Sequence, residues 1–213
     1  MGELVSRTPK EVEIDPRAVE PVRLLGEIRQ IMTTLIPIDP STVDGTEFDS
    51  IDLGNDLSMT NDGTTLELDF HKKLVDRPEL IGDGDGCLAI YINDTDETGN
   101  MPLPQLSVHL HTDPQTQGYV EDCMDLATKK GDQVSEDEIE TTYQFENNQF
   151  IKIIALPGQH QDGGRNNLLQ KFDHLSPTYY PYDFQAPMND EDFTLVTEIL
   201  TNLRQELAPH VAA

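Results

Sequence analysis

Apolar residues recur at three-to-four spacing early in the chain, at Val22, Leu25, Ile28, Ile31 or Met32, and Leu35. That period lays one stripe along a helix, so a helix is expected from about Glu20–Pro21, with proline in the first turn, to a stop at Pro37. The same period closes the chain with Phe193, Val196, Ile199 or Leu200, Leu203 and Leu207. This second helix is expected to start at Asn189 or Asp190, with Asp190, Glu191 and Asp192 in its positive first turn. Between the helices the period falls to two. Leu57 and Met59, then Leu66 and Leu68, flank Asp62-Gly63. They predict a hairpin with a type I′ turn on those two residues, pairing Met59 with Leu66 and Leu57 with Leu68 while Glu67 and Asp69 face the other way. Leu88, Ile90 and Ile92 predict a strand over Cys87–Asn93, and Leu106, Val108 and Leu110 another over Gln105–Thr112. These four strands are expected to share a sheet. A further hairpin turns at Asn147-Asn148, pairing Phe145 with Phe150, Thr141 with Ile154 and Ile139 with Leu156.

The rest is less periodic. Residues 1–15 read as an extended arm, and Ile38 to Asn55 as an acidic connection with a short strand at its end. Residues 118–130 predict a short helix ending at Gly131, with Lys129 and Lys130 placed to complement its C-terminus. Residues 157–188, from Pro157-Gly158 through Pro177 to Phe184, carry no sustained period and are expected to form a long loop. No repeat of solenoid length appears. The pattern implies a single α+β domain over residues 16–213, an antiparallel sheet of hairpins packed with an N-terminal and a C-terminal amphipathic helix.

Charge changes this picture most. Forty Asp and Glu face 14 Lys and Arg, a net charge of -26 over 213 residues. Because the acids interleave with apolar runs such as Leu66–Leu68, Leu88–Ile92 and Ile151–Leu156, the charge belongs to a folded surface and not to a disordered tail. Such self-repulsion is costly in dilute salt and tolerable where ions screen it within about 3 Å, as at 1 M. Scarce lysine and an excess of Asp over Glu resemble proteins of extreme halophiles, haloarchaea or their viruses; the resemblance implies a halophile cytoplasm or a virion as the setting. Direct nucleic-acid binding is excluded by the lack of clustered cations beyond Lys72-Lys73 and Lys129-Lys130. No run reaches the roughly 20 apolar residues of a membrane span, and the N-terminus lacks the apolar stretch of a signal peptide. Cys87 and Cys123 fall in predicted elements and are expected to be buried thiols.

Three stretches carry candidate chemistry. Asp94, Asp96, Thr98 and Asn100, with Gly99 between, place oxygen ligands at alternate positions, as in the first half of a calcium loop. Gln105 stands where that loop has its bidentate Glu, and the flanks read as strands. His109-x-His111 puts two imidazoles on one face of a strand, opposite Leu106, Val108 and Leu110, with Asp122 eleven residues beyond. That spacing resembles the JAMM (MPN+) metalloproteases, and the resemblance implies zinc on His109, His111 and Asp122 and a bound water attacking a peptide carbonyl. Tyr119 replaces the family's serine, Thr112 its proline, and no upstream Glu base is identifiable. The third stretch is the long loop, whose Tyr179, Tyr180, Tyr182 and Phe184 are interface-type aromatics.

His71, His160, His174 and His210 form no ligand pattern. No serine elbow or Cys-His pair is present, and Gly82-x-Gly84-x-Gly86 leads into a strand with aspartates that would repel phosphate.

These features favour a non-enzymatic assembly subunit adapted to high salt, contacting other protein subunits as a homo-oligomer or within a larger assembly, with no cofactor except calcium if the Asp94 loop binds it. The order of helix, sheet and closing helix is similar in layout to tail-completion or terminator proteins of tailed viruses, which implies a tail or neck component at a head-to-tail junction. The alternatives are the JAMM-like zinc peptidase, a calcium-stabilised binding module, and a capsid protein.

Overall fold

The structure, a computed structural model of the chain, describes residues 15–38, 49–71, 74–75, 85–94, 100–110, 140–156 and 182–211. Two helices, α1 (Val19–Leu35) and α2 (Asp190–Val211), accompany strands β1 (Asp49–Gly54), β2 (Leu57–Asn61), β3 (Thr65–His71), β4 (Asp85–Tyr91), β5 (Gln105–Leu110), β6 (Glu140–Glu146), β7 (Gln149–Leu156) and β8 (Tyr182–Ala186). The strands form one eight-stranded antiparallel sheet in chain order, each pairing with the next. This is the α+β architecture that the hydrophobic pattern implies.

Strand parity fixes which face is apolar. The register sets Ile51, Met59, Leu68, Leu88, Leu106, Phe145 and Phe150 side by side across seven strands. That row joins the core with Leu24, Leu25, Ile28 and Met32 of α1 and Leu195, Val196, Ile199, Leu200, Leu203 and Leu207 of α2. Burying each such side chain contributes about 1.5–3 kcal/mol before the entropy of ordering it is subtracted. Both helices therefore cover the same face of the sheet. They run parallel: Arg17, just before α1, bonds Asp190 at the start of α2 and lies 4.7 Å over the Phe193 ring, while Glu27 midway along α1 pairs with Arg204 of α2.

Several expectations shift in detail. The helix at Val19 is preceded by a 3-10 turn, Pro16–Ala18, whose first amides are capped by Asp15, the last residue of the expected arm. The acidic connection does end in a strand, β1, and β1 turns into β2 at Asn55-Asp56, both at positive φ (53° and 59°). The β2–β3 hairpin pairs Met59 with Leu68 and Leu57 with Phe70, two residues away from the expected register. The reason lies in Asp62, whose carboxylate accepts bonds from the Thr64 and Thr65 amides and the Thr64 hydroxyl, so the turn centres on Gly63-Thr64, with Gly63 at φ +83°. A slip of two keeps parity, so the same side chains still face inward. Although partial burial opposes it, these bonds hold the Asp62 carboxyl below its ordinary range.

The strand expected over Cys87–Asn93 begins and ends two residues earlier, because Ile92–Asp94 coil into a 3-10 turn. The Asn147-Asn148 hairpin pairs Phe145 with Phe150 and Thr141 with Ile154, as expected; Ile139 lies outside the described residues. So do the helix expected at 118–130, Cys123 and most of the 157–188 loop. The end of that loop is corrected: 182–186 is β8, hydrogen-bonded along β7.

Candidate functional site

Of the calcium-loop residues, Asp94 is exposed at the end of its 3-10 turn and Asn100 is exposed before β5, while Asp96 and Thr98 lie outside the described residues. Of the zinc candidates only His109 is described; His111 and Asp122 lie outside. Tyr179 and Tyr180 also lie outside, and Tyr182 and Phe184 fall in β8 opposite Leu156 and Ile154.

His109 sits on the sheet face turned away from the helices. Its Nδ1 is 3.1 Å from Thr142 Oγ1 on β6 and its Nε2 is 3.4 Å from Ser107 Oγ on its own strand, so both ring nitrogens have hydroxyl neighbours. Across from His109 on β4 is Asp85, which in turn lies opposite His71 on β3, with 3.8 Å between His71 Nδ1 and Asp85 Oδ2. One step along the strands, Asp69 faces Cys87, and Ser107 follows. This outer face is thus acidic over β3 and β4, hydroxyl-lined at β5 and β6, and half-buried aliphatic at Ile151 and Ile153 of β7.

The electrostatics of this patch follow from crowding of like charge. Burial first, then the charges of Glu67 and Asp69, a hydrogen bond with Glu67 and the charge of Asp85 push the Cys87 thiol far up, which favours its protonated form. Among the described residues, no group of three His, Cys, Asp or Glu side chains is arranged to hold a metal ion. Burial also raises the Asp69 carboxyl above its ordinary range, with only the nearby His71 acting in the opposite sense. A raised carboxyl binds its proton more tightly in the folded chain, so its effect on stability is most favourable below the ordinary carboxylate range and is lost as pH rises through the folded value. Asp69→Asn is therefore expected to raise the melting temperature at neutral pH, with the gain vanishing as pH falls below about 4. A gain equal at both pH values, read by thermal melts, would refute this.

On the helix side lies a buried polar centre that the apolar period does not announce. Lys152 and Asp192 are 3% and 2% exposed, and the Lys152 Nζ lies 2.7 Å from Asp192 Oδ1. The same oxygen accepts the Tyr143 hydroxyl at 2.6 Å, while Oδ2 accepts the Asn189 amide at 2.8 Å. Asn189 reciprocates, its Oδ1 accepting the Glu191 and Asp192 amides at 2.9 Å. The result is a capping box that also ties the first turn of α2 to β6 and β7. Two signals for it stand in the sequence: the Asn189-x-x-Asp192 spacing, and a lysine at the inward parity of Phe150.

No helix among the described residues is long and apolar enough to cross a membrane. Comparison of the chain with protein-family models, with curated proteins and with solved structures returns no match.

Proposed function

We propose that this chain is a non-enzymatic subunit of a protein assembly that works in molar salt, of the kind that forms a tail or neck component of a virion. One observation carries the reading: the distribution of charge. Each described Lys and Arg is engaged, Arg17 with Asp15 and Asp190, Arg23 with Glu20 and Glu27, Arg29 with the Met101 carbonyl, Lys152 with Asp192 and Arg204 with Glu27. From β1 to β5 the described residues include Asp49, Asp52, Asp56, Asp62, Glu67, Asp69, Asp85 and Asp94, and no Lys or Arg. Such a surface needs dissolved cations as its counter-charge. The assembly role is supported by a layout that, among the described residues, places both helices on one sheet face.

The zinc-peptidase alternative makes a sharp contrast. Elemental analysis of protein purified in molar KCl is expected to find no stoichiometric zinc. About one zinc per chain, together with peptide cleavage that His109→Ala abolishes, would overturn the proposal in favour of metal-dependent hydrolysis.

A further inference from the structure

We infer that β1 is a salt-dependent cover strand, closed over the edge of the sheet in molar salt and released on dilution. The inference rests on the high-salt reading above. β1 stands at the end of the strand order and, among the described residues, pairs with β2 alone. Its apolar hold is limited to two side chains: Ile51 and Leu53 are partly buried and pack against the core, while Asp49, Ser50, Asp52 and Gly54 are exposed, whereas Leu57 and Met59 of the neighbouring β2 are buried. Asp52 also bonds the Gly54 amide across an irregularity in the ladder, so the pairing ends in a bulge.

Against this weak hold stands like charge at a telling distance. The register puts Asp52, Ser58, Asp69 and Cys87 in one row across β1 to β4. Asp52 and Asp69 are thus two strands apart, roughly 9.5 Å at about 4.7–4.9 Å per strand. The screening length is about 10 Å at 0.1 M salt and about 3 Å at 1 M, so their repulsion is felt in one condition and extinguished in the other. Asp56 in its turn adds to it, and no described Lys or Arg lies on β1 to β5 to offset it. The opposite end of the fold differs in kind. The first turn of α2 is held by the buried Lys152–Asp192 pair, which salt screens far less, and the rest of the helix by a buried apolar stripe from Phe193 to Leu207. Dilution therefore acts on β1 first, and its departure bares the outer N–H and C=O groups of β2, an edge open to pairing with another strand.

The test is amide hydrogen exchange on the full chain at stepped KCl concentrations. Protection at residues 50–54 is expected to fall roughly five- to tenfold, from a few weak repulsions summed, at a concentration where α2 and the β6–β7 ladder remain protected. Asp52→Asn with Asp69→Asn, which keeps the side-chain acceptors, moves that loss to lower salt, while Glu198→Gln with Glu206→Gln on α2 moves it less. Loss of protection at one common concentration in β1 and α2, or no shift in the Asp52/Asp69 variant, overturns the cover strand and leaves the high-salt reading standing. Unchanged protection everywhere in dilute salt overturns both.

Discussion

Asp192→Ala is expected to cost about 3–5 kcal/mol, because it leaves the Lys152 ammonium buried without its carboxylate. Total stability of a domain is commonly about 5–15 kcal/mol, so this one change threatens the fold. The loss has three parts that act together: the Tyr143 hydroxyl and Lys152 Nζ both donate to Asp192 Oδ1, and the Asn189 amide donates to Oδ2, so the capping box of α2 goes as well. Removing both charges at once separates these contributions. In Lys152→Met with Asp192→Asn no ion is stranded, and the asparagine can still accept from Tyr143 or Asn189. That double variant is expected to lie within about 1–2 kcal/mol of the parent, since apolar replacements of buried ion pairs are often neutral. Urea unfolding in molar KCl reads both. Single and double variants of equal stability would show that the pair is not what fixes α2 to the sheet.

The second large effect is expected at Gly86. It lies in the core-facing row between Phe70 and Val108, where β4 passes beneath the Phe70 ring. A Cβ there would meet the Ser107 carbonyl oxygen at 2.2 Å and ring atoms of Phe70 at 2.7 and 2.9 Å. The ring can turn away, but the carbonyl belongs to the sheet backbone. Gly86→Ala is therefore expected to cost about 3 kcal/mol, the upper part of the usual overpacking range. Phe70→Leu added to it should recover only the portion due to the ring, leaving the double variant well below Phe70→Leu alone. An alanine at residue 86 with an unchanged urea midpoint would mean that β4 and β5 are not packed as described.

Gly86 also illustrates what the sequence could and could not reveal. In the sequence it is the last glycine of Gly82-x-Gly84-x-Gly86, which leads into a strand and does not fit a phosphate loop; only the register explains it, as the space under Phe70. The helices were legible because their apolar period runs over four or more turns, as with Phe193 to Leu207. The turn at Asn147-Asn148 was legible because both residues accept positive φ, observed at 51° and 61°. The turn sits one residue beyond the expected Asp62-Gly63, and the register two, because a carboxylate bonding Thr64 and Thr65 outweighs the local preference for a two-residue Asp-Gly turn. β8 is not legible in the sequence because the five residues between Pro181 and Pro187 carry no period of their own; their order comes from pairing with β7. Lys152 could have been placed inside by parity alone, yet a lysine between isoleucines reads as an outward charge until its partner, forty residues on, is known. The candidate chemistry was less legible still. His109 shares a strand face with Ser107 as alternation requires, but its partner Thr142 comes from β6, which no local spacing announces.

For the proposed salt-dependent assembly subunit, native mass with far-ultraviolet circular dichroism in molar and in about 0.1 M KCl is the deciding measurement. A mass that is a multiple of the 23.9 kDa chain is expected in molar KCl, with loss of both that mass and the folded spectrum on dilution. A 23.9 kDa monomer with the same spectrum at both salt concentrations would contradict it.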